Sequence, residues 1–194
     1  MERQKNTMII GFDLDGVIID HTQNKIKIAA RYGITLALED TSPARMWKII
    51  PPEHNQEFRD QMYDDTDEAL SAPLMEGAYA GLAMLREQHI PYFLVSRRKK
   101  PIHAIHLLER RELWGKYFIP ENTFFVDEPE EKDAVAQKLG LTHFVDDELR
   151  VLDVLLSVPN RILFDARNLC SDKKEYQCAE SWSELLVLLG VGHK

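Results

Sequence analysis

The sequence predicts an α/β fold: a parallel β-sheet flanked by helices, with a small helical segment inserted early in the chain. Three observations predict it. Continuous apolar runs bounded by turn residues recur along the chain, as parallel strands buried on both faces require. Patterns with apolar residues three or four apart alternate with those runs and read as crossover helices. One stretch, from about residue 21 to 73, breaks the alternation and reads as helices alone.

The first strand is the run Met8 to Phe12. The inserted stretch follows and reads as three helices. Gly33 suits a helix C-terminus, Ser42 before Pro43 suits an N-cap with proline in the first turn, and Pro51-Pro52 forces a stop. Phe58, Met62 and Ala69 are expected on the buried face of the third helix. After the insertion, Leu82 and Leu85 share a helical face, and Tyr92 to Val95 is the second strand. Ile102 and Ile105 mark the next helix, Thr123 to Val126 the third strand, and Val135 and Leu139 the helix beyond it. His143 to Val145 is the fourth strand, Leu149 and Leu152 lie on the following helix, and Arg161 to Phe164 is the fifth strand. Trp182, Leu185, Leu186 and Leu189 stripe the closing helix. All these stripes are expected to be core. The division that follows is an α/β core over 1–20 and 74–194, with a helical cap over 21–73.

The chain's 194 residues suit one main domain with a small attached module. With 44% hydrophobic and 29% charged residues, the composition is that of a soluble globular protein. A net charge of -8 disfavours nonspecific attraction to nucleic acid, whose phosphates the overall field repels. The run Met8 to Phe12, preceded by Glu2 and stopped by Asp13, is too short for a signal peptide, and no run reaches membrane-spanning length. Cys170 and Cys178 lack a second metal-like pair. They are read as thiols of a reducing compartment, which makes the expected location cytoplasmic.

In an open parallel sheet the C-terminal ends of the strands lie along one edge, where ligands bind. Reading outward from each strand gives Asp13 and Asp15, then Ser96, then Asp127 and the approach to Lys132, then Asp146 and Asp147. Asp13 and Asp15, two apart in an extended segment, face one pocket while Leu14 turns to the core. Four carboxylates crowded together need more compensating charge than one lysine supplies. Magnesium fits, because it takes oxygen ligands from one or two carboxylates and keeps sites for water and substrate phosphate. Gly16 lets the chain turn sharply after Asp15 and brings backbone N–H groups close to a phosphate oxygen.

The string Phe12-Asp13-Leu14-Asp15-Gly16-Val17, Ser96 after an apolar strand, Lys132 opening a helix, and Asp146-Asp147 after another strand resemble, in order, the four motifs of the haloacid-dehalogenase superfamily. The inserted helices resemble that superfamily's helical cap, so the sheet is expected to be Rossmann-like. Asp-x-Asp-Gly alone is unspecific, whereas four motifs at successive strand ends and a helix start are not. The resemblance implies a phosphatase of small phosphorylated metabolites. In that scheme Asp13 attacks phosphorus to form an aspartyl-phosphate, and Asp15 serves as general acid and then general base. It further implies that Ser96 and Lys132 hold the phosphoryl oxygens. Magnesium would sit on Asp13, the Asp15 backbone carbonyl, Asp146 and either directly or indirectly Asp147. Lys138, the rival to Lys132, is expected to be a solvated surface residue. Dehalogenases of the superfamily lack the acid two residues after the nucleophile and its ion-pumping ATPases carry threonine there, so Asp15 points to phosphatases and phosphomutases.

Other features leave alternatives open. Arg97, Arg98, Lys99 and Lys100 follow Ser96 and either grip a second anionic group or form a solvated loop. His103 and His106 share one helical turn without a third ligand and are expected at the surface. Arg45, Trp47, Phe58 and Arg59 are candidates for substrate selection, without indication of which face the pocket. The small helical cap and the short interval from Lys132 to Asp146 resemble the nucleotidase-like branch more than the sugar-phosphate branch. Two readings compete with a phosphatase: a receiver-like phosphoacceptor, and a phosphate-binding regulator without turnover.

Overall fold

The computed structural model describes residues 8–168 and 176–192. Among these, six parallel strands form one sheet: β1 (Ile10–Phe12), β2 (Tyr92–Arg97), β3 (Thr123–Val126), β4 (His143–Asp146), β5 (Asn160–Phe164) and β6 (Gln177–Ala179). The strand order is β3-β2-β1-β4-β5-β6. The chain therefore builds outward from β1 on one side, crosses back, and builds outward from β4 on the other. The reversal falls between β1 and β4, the kind of switch point at which open α/β sheets hold ligands.

Alternation along the strands sorts side chains to the two faces. Leu94, Val145, Ile162 and Phe164 join one cluster with residues of α5 (Ala78–Glu87), α6 (Pro101–Arg110) and α9 (Trp182–Leu188). Their neighbours Val95, Phe144 and Leu163 join a second cluster with α7 (Pro129–Leu139) and α8 (Leu149–Val154). Full burial of each such side chain contributes roughly 1.5–3 kcal/mol. Gly11 sits where β1 meets Phe144, and a Cβ there would run into that ring. On the opposite face Trp182 stacks on Phe12 with centroids 5.3 Å apart, and its Nε1 donates to the Val17 carbonyl at 2.8 Å. The closing helix thereby fixes the loop that leaves β1.

Between β1 and α5 run α1 (Thr22–Arg31), α2 (Pro43–Ile49), α3 (Asn55–Tyr63) and α4 (Asp67–Ser71). Ile28, Leu36, Met46, Ile50, Phe58 and Met62 form their own apolar cluster, sharing no residue with the clusters on the sheet. None of the helices among the described residues is long and apolar enough to cross a membrane.

The structure departs from the sequence expectations in four places. The expected third inserted helix is two: α3 ends at Tyr63, and Thr66 caps α4 by accepting the Ala69 N–H at 3.1 Å. Such a cap contributes about 1 kcal/mol, and it places Ala69 on α4 rather than beside Phe58 and Met62. Ile102 is 51% exposed, because α6 turns Ala104, Leu107 and Leu108 inward, and Ile102 lies about 200° of helix rotation from Ala104. Ser96 and Asp146 lie within the last residues of β2 and β4 rather than after them. Strand β6 has no counterpart among the expected elements; its three residues, one exposed, one half-buried and one buried, are too few to show a period. Cys178 lies in β6, and Cys170 lies outside the described residues.

Candidate active site

The loop after β1 is held by its own backbone. Ile18 and Ile19 donate to the Leu14 carbonyl, and Gly16 donates to the Ile19 carbonyl at 2.8 Å. Leu14 is buried in the core, as the alternation requires, while Asp13 and Asp15 face the cavity. The Asp15 N–H donates to Asp13 Oδ2 at 3.0 Å. Gly16 has φ +85°, and a Cβ on it would overlap the Asp147 carboxylate. Only glycine meets both conditions.

Lys132, on the first turns of α7, is 2% exposed. Its Nζ donates to Asp13 Oδ1 at 2.7 Å and to Asp146 Oδ2 at 2.8 Å. The start of its helix is fixed by Glu131, whose carboxylate accepts the N–H groups of Asp127 (2.7 Å) and Glu128 (3.1 Å). Burial works against the Lys132 charge, but the two carboxylates outweigh it and hold the ammonium above the ordinary lysine range. Lys138 is exposed.

Asp13, Asp146 and Asp147 each present an oxygen within 4.8 Å of the others. Burial raises the pKa of all three, against the pull of Lys132 on Asp13 and Asp146 and of Lys25 on Asp147; Asp146 is pushed up to about 7. Each is therefore destabilised as an anion, and the pull of Lys132 and Lys25 does not offset the burial of the three. An all-oxygen donor set with surplus negative charge fits a hard divalent cation such as magnesium. The Asp15 carboxylate is not in this group. It is bound instead by Arg98, whose Nε and Nη2 lie 2.8 and 2.6 Å from its two oxygens, and by His21 Nε2 at 2.6 Å. Burial alone would raise Asp15; Arg98 and His21 hold it well below the usual carboxylate range.

Ser96 is 1% exposed, and its Oγ has no hydrogen-bond partner among the described residues. A buried hydroxyl left without a partner costs roughly 1–3 kcal/mol. It lines the same cavity of about 430 Å³ as Asp13, Asp15, Lys132, Asp146 and Asp147. Every residue expected to carry the chemistry is thus brought to one cavity at the β1/β4 switch point.

The far wall comes from the inserted helices, through Met46, Trp47, Arg59 and Tyr63. Of the selection candidates, Trp47 and Arg59 face the cavity, with the guanidinium 4.0 Å from the indole centroid. Phe58 is buried among the inserted helices and Arg45 is exposed outside the cavity. The basic run is divided. Arg98 is engaged on Asp15, and Lys100 pairs with Asp64 and, at 3.7 Å, Asp60. Arg97 and Lys99 line the cavity without an ion pair among the described residues. His103 and His106 are partly exposed, as expected, and engage an acidic partner. Their Nδ1 atoms lie 3.0 and 2.7 Å from the two oxygens of Asp65, which joins α6 to the turn between α3 and α4.

Sequence reasoning missed His21, Lys25 and Tyr63, which all line the cavity. His21 follows the β1 loop directly and reaches Asp15 because that loop folds back at Ile19, a return no spacing rule signals. Lys25 stands one helical turn beyond it on α1 and donates to the Thr41 carbonyl at 3.0 Å.

No family model matches the chain. A protein of Oceanobacillus iheyensis named "Putative nucleotidase" is 26% identical over 140 residues, covering 68% of this chain and 71% of that one. Among solved structures, a "HAD family hydrolase" of Deinococcus radiodurans, with bound phosphate and sodium, superposes with a TM-score of 0.64 at 18% identity, covering 94% of both chains. A "predicted phosphatase" of Clostridium acetobutylicum superposes at 0.67 with 15% identity, covering 94% of this chain and 98% of that one. At such identities the likeness is one of architecture, and the six-stranded order with its motif residues at the switch point agrees with it: this chain has the α/β fold of the haloacid-dehalogenase type.

Proposed function

We propose that the protein is a magnesium-dependent phosphatase of small phosphate monoesters, working through an aspartyl-phosphate on Asp13. The observation that carries this reading is the shared engagement of Lys132 with Asp13 and Asp146, beside a third carboxylate and the unpartnered hydroxyl of Ser96. Asp13 keeps Oδ1 on Lys132 and Oδ2 on the Asp15 N–H, so its orientation is fixed before any substrate arrives. A fixed nucleophile removes much of the entropic cost of attack. Ser96 Oγ and Lys132 Nζ supply donors for phosphoryl oxygens, stabilising charge in transfer.

Asp13, Asp146 and Asp147 would hold magnesium, with the Asp15 carbonyl as a further oxygen. Bound there, the ion supplies positive charge against the phosphoryl oxygens and the clustered carboxylates. Asp15 rests ionised between Arg98 and His21, so it would take a proton from the water that cleaves the phosphoenzyme, and would protonate the departing alkoxide only after taking one up with the bound substrate. The inserted helices are read as a cap over residues 21–73 that encloses the leaving group, with the α/β core in 1–20 and 74–194.

Nucleoside monophosphates lead the candidate substrates, supported by the relative's name and by the Trp47–Arg59 pair on the cavity wall. A panel of phosphate esters with free phosphate as readout, run with magnesium and with a chelator, tests the reading. Hydrolysis that survives chelation or Asp13→Asn would exclude it. A long-lived phosphoprotein without release would instead favour a phosphoacceptor.

A further inference from the structure

We infer that Arg98 is a positioning residue that orients the Asp15 carboxylate and makes that orientation depend on the docking of α3; the inference rests on the phosphatase reading above. Arg98 is 5% exposed, and each of its three guanidinium nitrogens makes a hydrogen bond. Nε and Nη2 form a two-point grip on Asp15, while Nη1 donates to the Tyr63 carbonyl at 3.0 Å. The guanidinium carbon lies 4.4 Å from the Tyr63 ring centroid. With every nitrogen already engaged on Asp15 or Tyr63 and the side chain almost fully buried, Arg98 serves these two groups rather than forming the phosphate grip that the basic run suggests.

The geometry suits positioning. A planar guanidinium matches a carboxylate at two points and fixes its rotation, which an ammonium does not. Tyr63 ends α3, and a helix leaves its last carbonyls without intrahelical donors, at the negative end of its dipole. Arg98 fills one of these. Tyr63 also meets His21, ring edge to ring face with centroids 5.5 Å apart, and His21 is the other group on Asp15. Both groups that hold Asp15 therefore lean on the last residue of α3. Asp13, by contrast, is set by Lys132 from the sheet side. Nucleophile and proton-transfer group have separate clamps, and only the second is completed by the inserted helices.

A kinetic cycle tests this. Arg98→Gln and Arg98→Lys are made in the natural protein and in Asp15→Asn, and steady-state phosphate release is followed with magnesium on an aryl and an alkyl phosphate. If Arg98 acts through Asp15, Arg98→Gln lowers kcat on the alkyl ester by roughly 30-fold or more with KM within about threefold, since general acid–base catalysis is worth about 10²–10⁴. In the Asp15→Asn background the same change costs less than about twofold on the aryl ester, because residues that act as a unit are not additive. Arg98→Lys recovers part of kcat, and is decisive if Arg98→Gln fails to fold by circular dichroism. Equal losses in both backgrounds, or a raised KM at unchanged kcat, overturn the inference and leave the phosphatase reading standing. An inactive natural protein sinks both.

Discussion

Lys132 and Asp13 lie 119 positions apart in sequence and 2.7 Å apart at their polar atoms, buried together at the switch point of the sheet. Removing one partner of such a pair leaves a buried charge uncompensated, at a cost of about 3–5 kcal/mol. Lys132→Met, which keeps the stem and removes the ammonium, is therefore expected to lower unfolding free energy by about that amount in metal-free protein and to reduce kcat at least about 10²-fold. Urea denaturation and phosphate release measure the two. Unchanged stability would mean that Asp13 and Asp146 relax into solvent without their lysine.

The carboxylates around Lys132 give the metal-free protein an unusual pH dependence. Asp146 moves from an ordinary 3.8 up to about 7 on folding, and Asp13 and Asp147 are raised as well. Between those values these carboxylates hold more protons in the folded state than in the unfolded chain, so their contribution to stability falls as pH rises from about 4 through 7, against the opposite slope of His21 and His143, which burial lowers. Asp15, held below the usual range, is ionised throughout that window and contributes nothing to the slope. Magnesium bound by the deprotonated cluster is expected to reverse the trend. Chelated protein should thus unfold at lower urea at pH 8 than at pH 5.5, and added magnesium should stabilise it more at pH 8. A larger magnesium effect at pH 5.5 would contradict the proposed ligands.

Gly16 carries two constraints at one position, a positive φ and the Asp147 carboxylate against its Cα. Gly16→Ala is expected to cost about 1–3 kcal/mol of stability and to push Asp147 out of place. Magnesium affinity, measured by the ion's effect on thermal unfolding, should drop together with activity. A variant with natural affinity would show that Asp147 is not a ligand.

The motif residues were legible because each sits at a strand end or a helix start, where local pattern and topology agree. Asp13, Ser96 and Asp146 stand out by the apolar runs before them, and Lys132 by its place opening a helix together with the motif resemblance; that helix begins at Pro129. The second set of site residues was not legible. Arg98 reads as one cation among four, and what distinguishes it is that α3 ends beside it with a bare carbonyl and a tyrosine ring. Lys100, two positions on, is drawn to Asp60 and Asp64 instead. Such choices depend on how separate elements pack, which no period within a single element encodes. Ile102 failed for a related reason: two isoleucines three apart suggest a face, but Ala104, Leu107 and Leu108 set the true one.

Trp47 and Arg59 form a cation–π pair on the cavity wall. They stand on α2 and α3, remote in sequence from every group expected to touch phosphorus, yet they line the same cavity. Arg59 has no ion pair among the described residues, and its guanidinium rests on the indole at 4.0 Å. A cation–π pair holds a flat, positively charged shelf, which suits a planar or anionic leaving group, and such contacts are worth about 0.5–2 kcal/mol. Binding energy of that kind acts on substrate and transition state alike and so appears in KM. Trp47→Ala and Arg59→Ala should each raise KM for a nucleoside monophosphate by about 3–30-fold, given that about 1.4 kcal/mol is tenfold, with kcat little changed. On a small aryl phosphate that does not reach the shelf, both variants should match the natural protein. Equal losses on both substrates would place these residues in support of the inserted helices rather than in recognition.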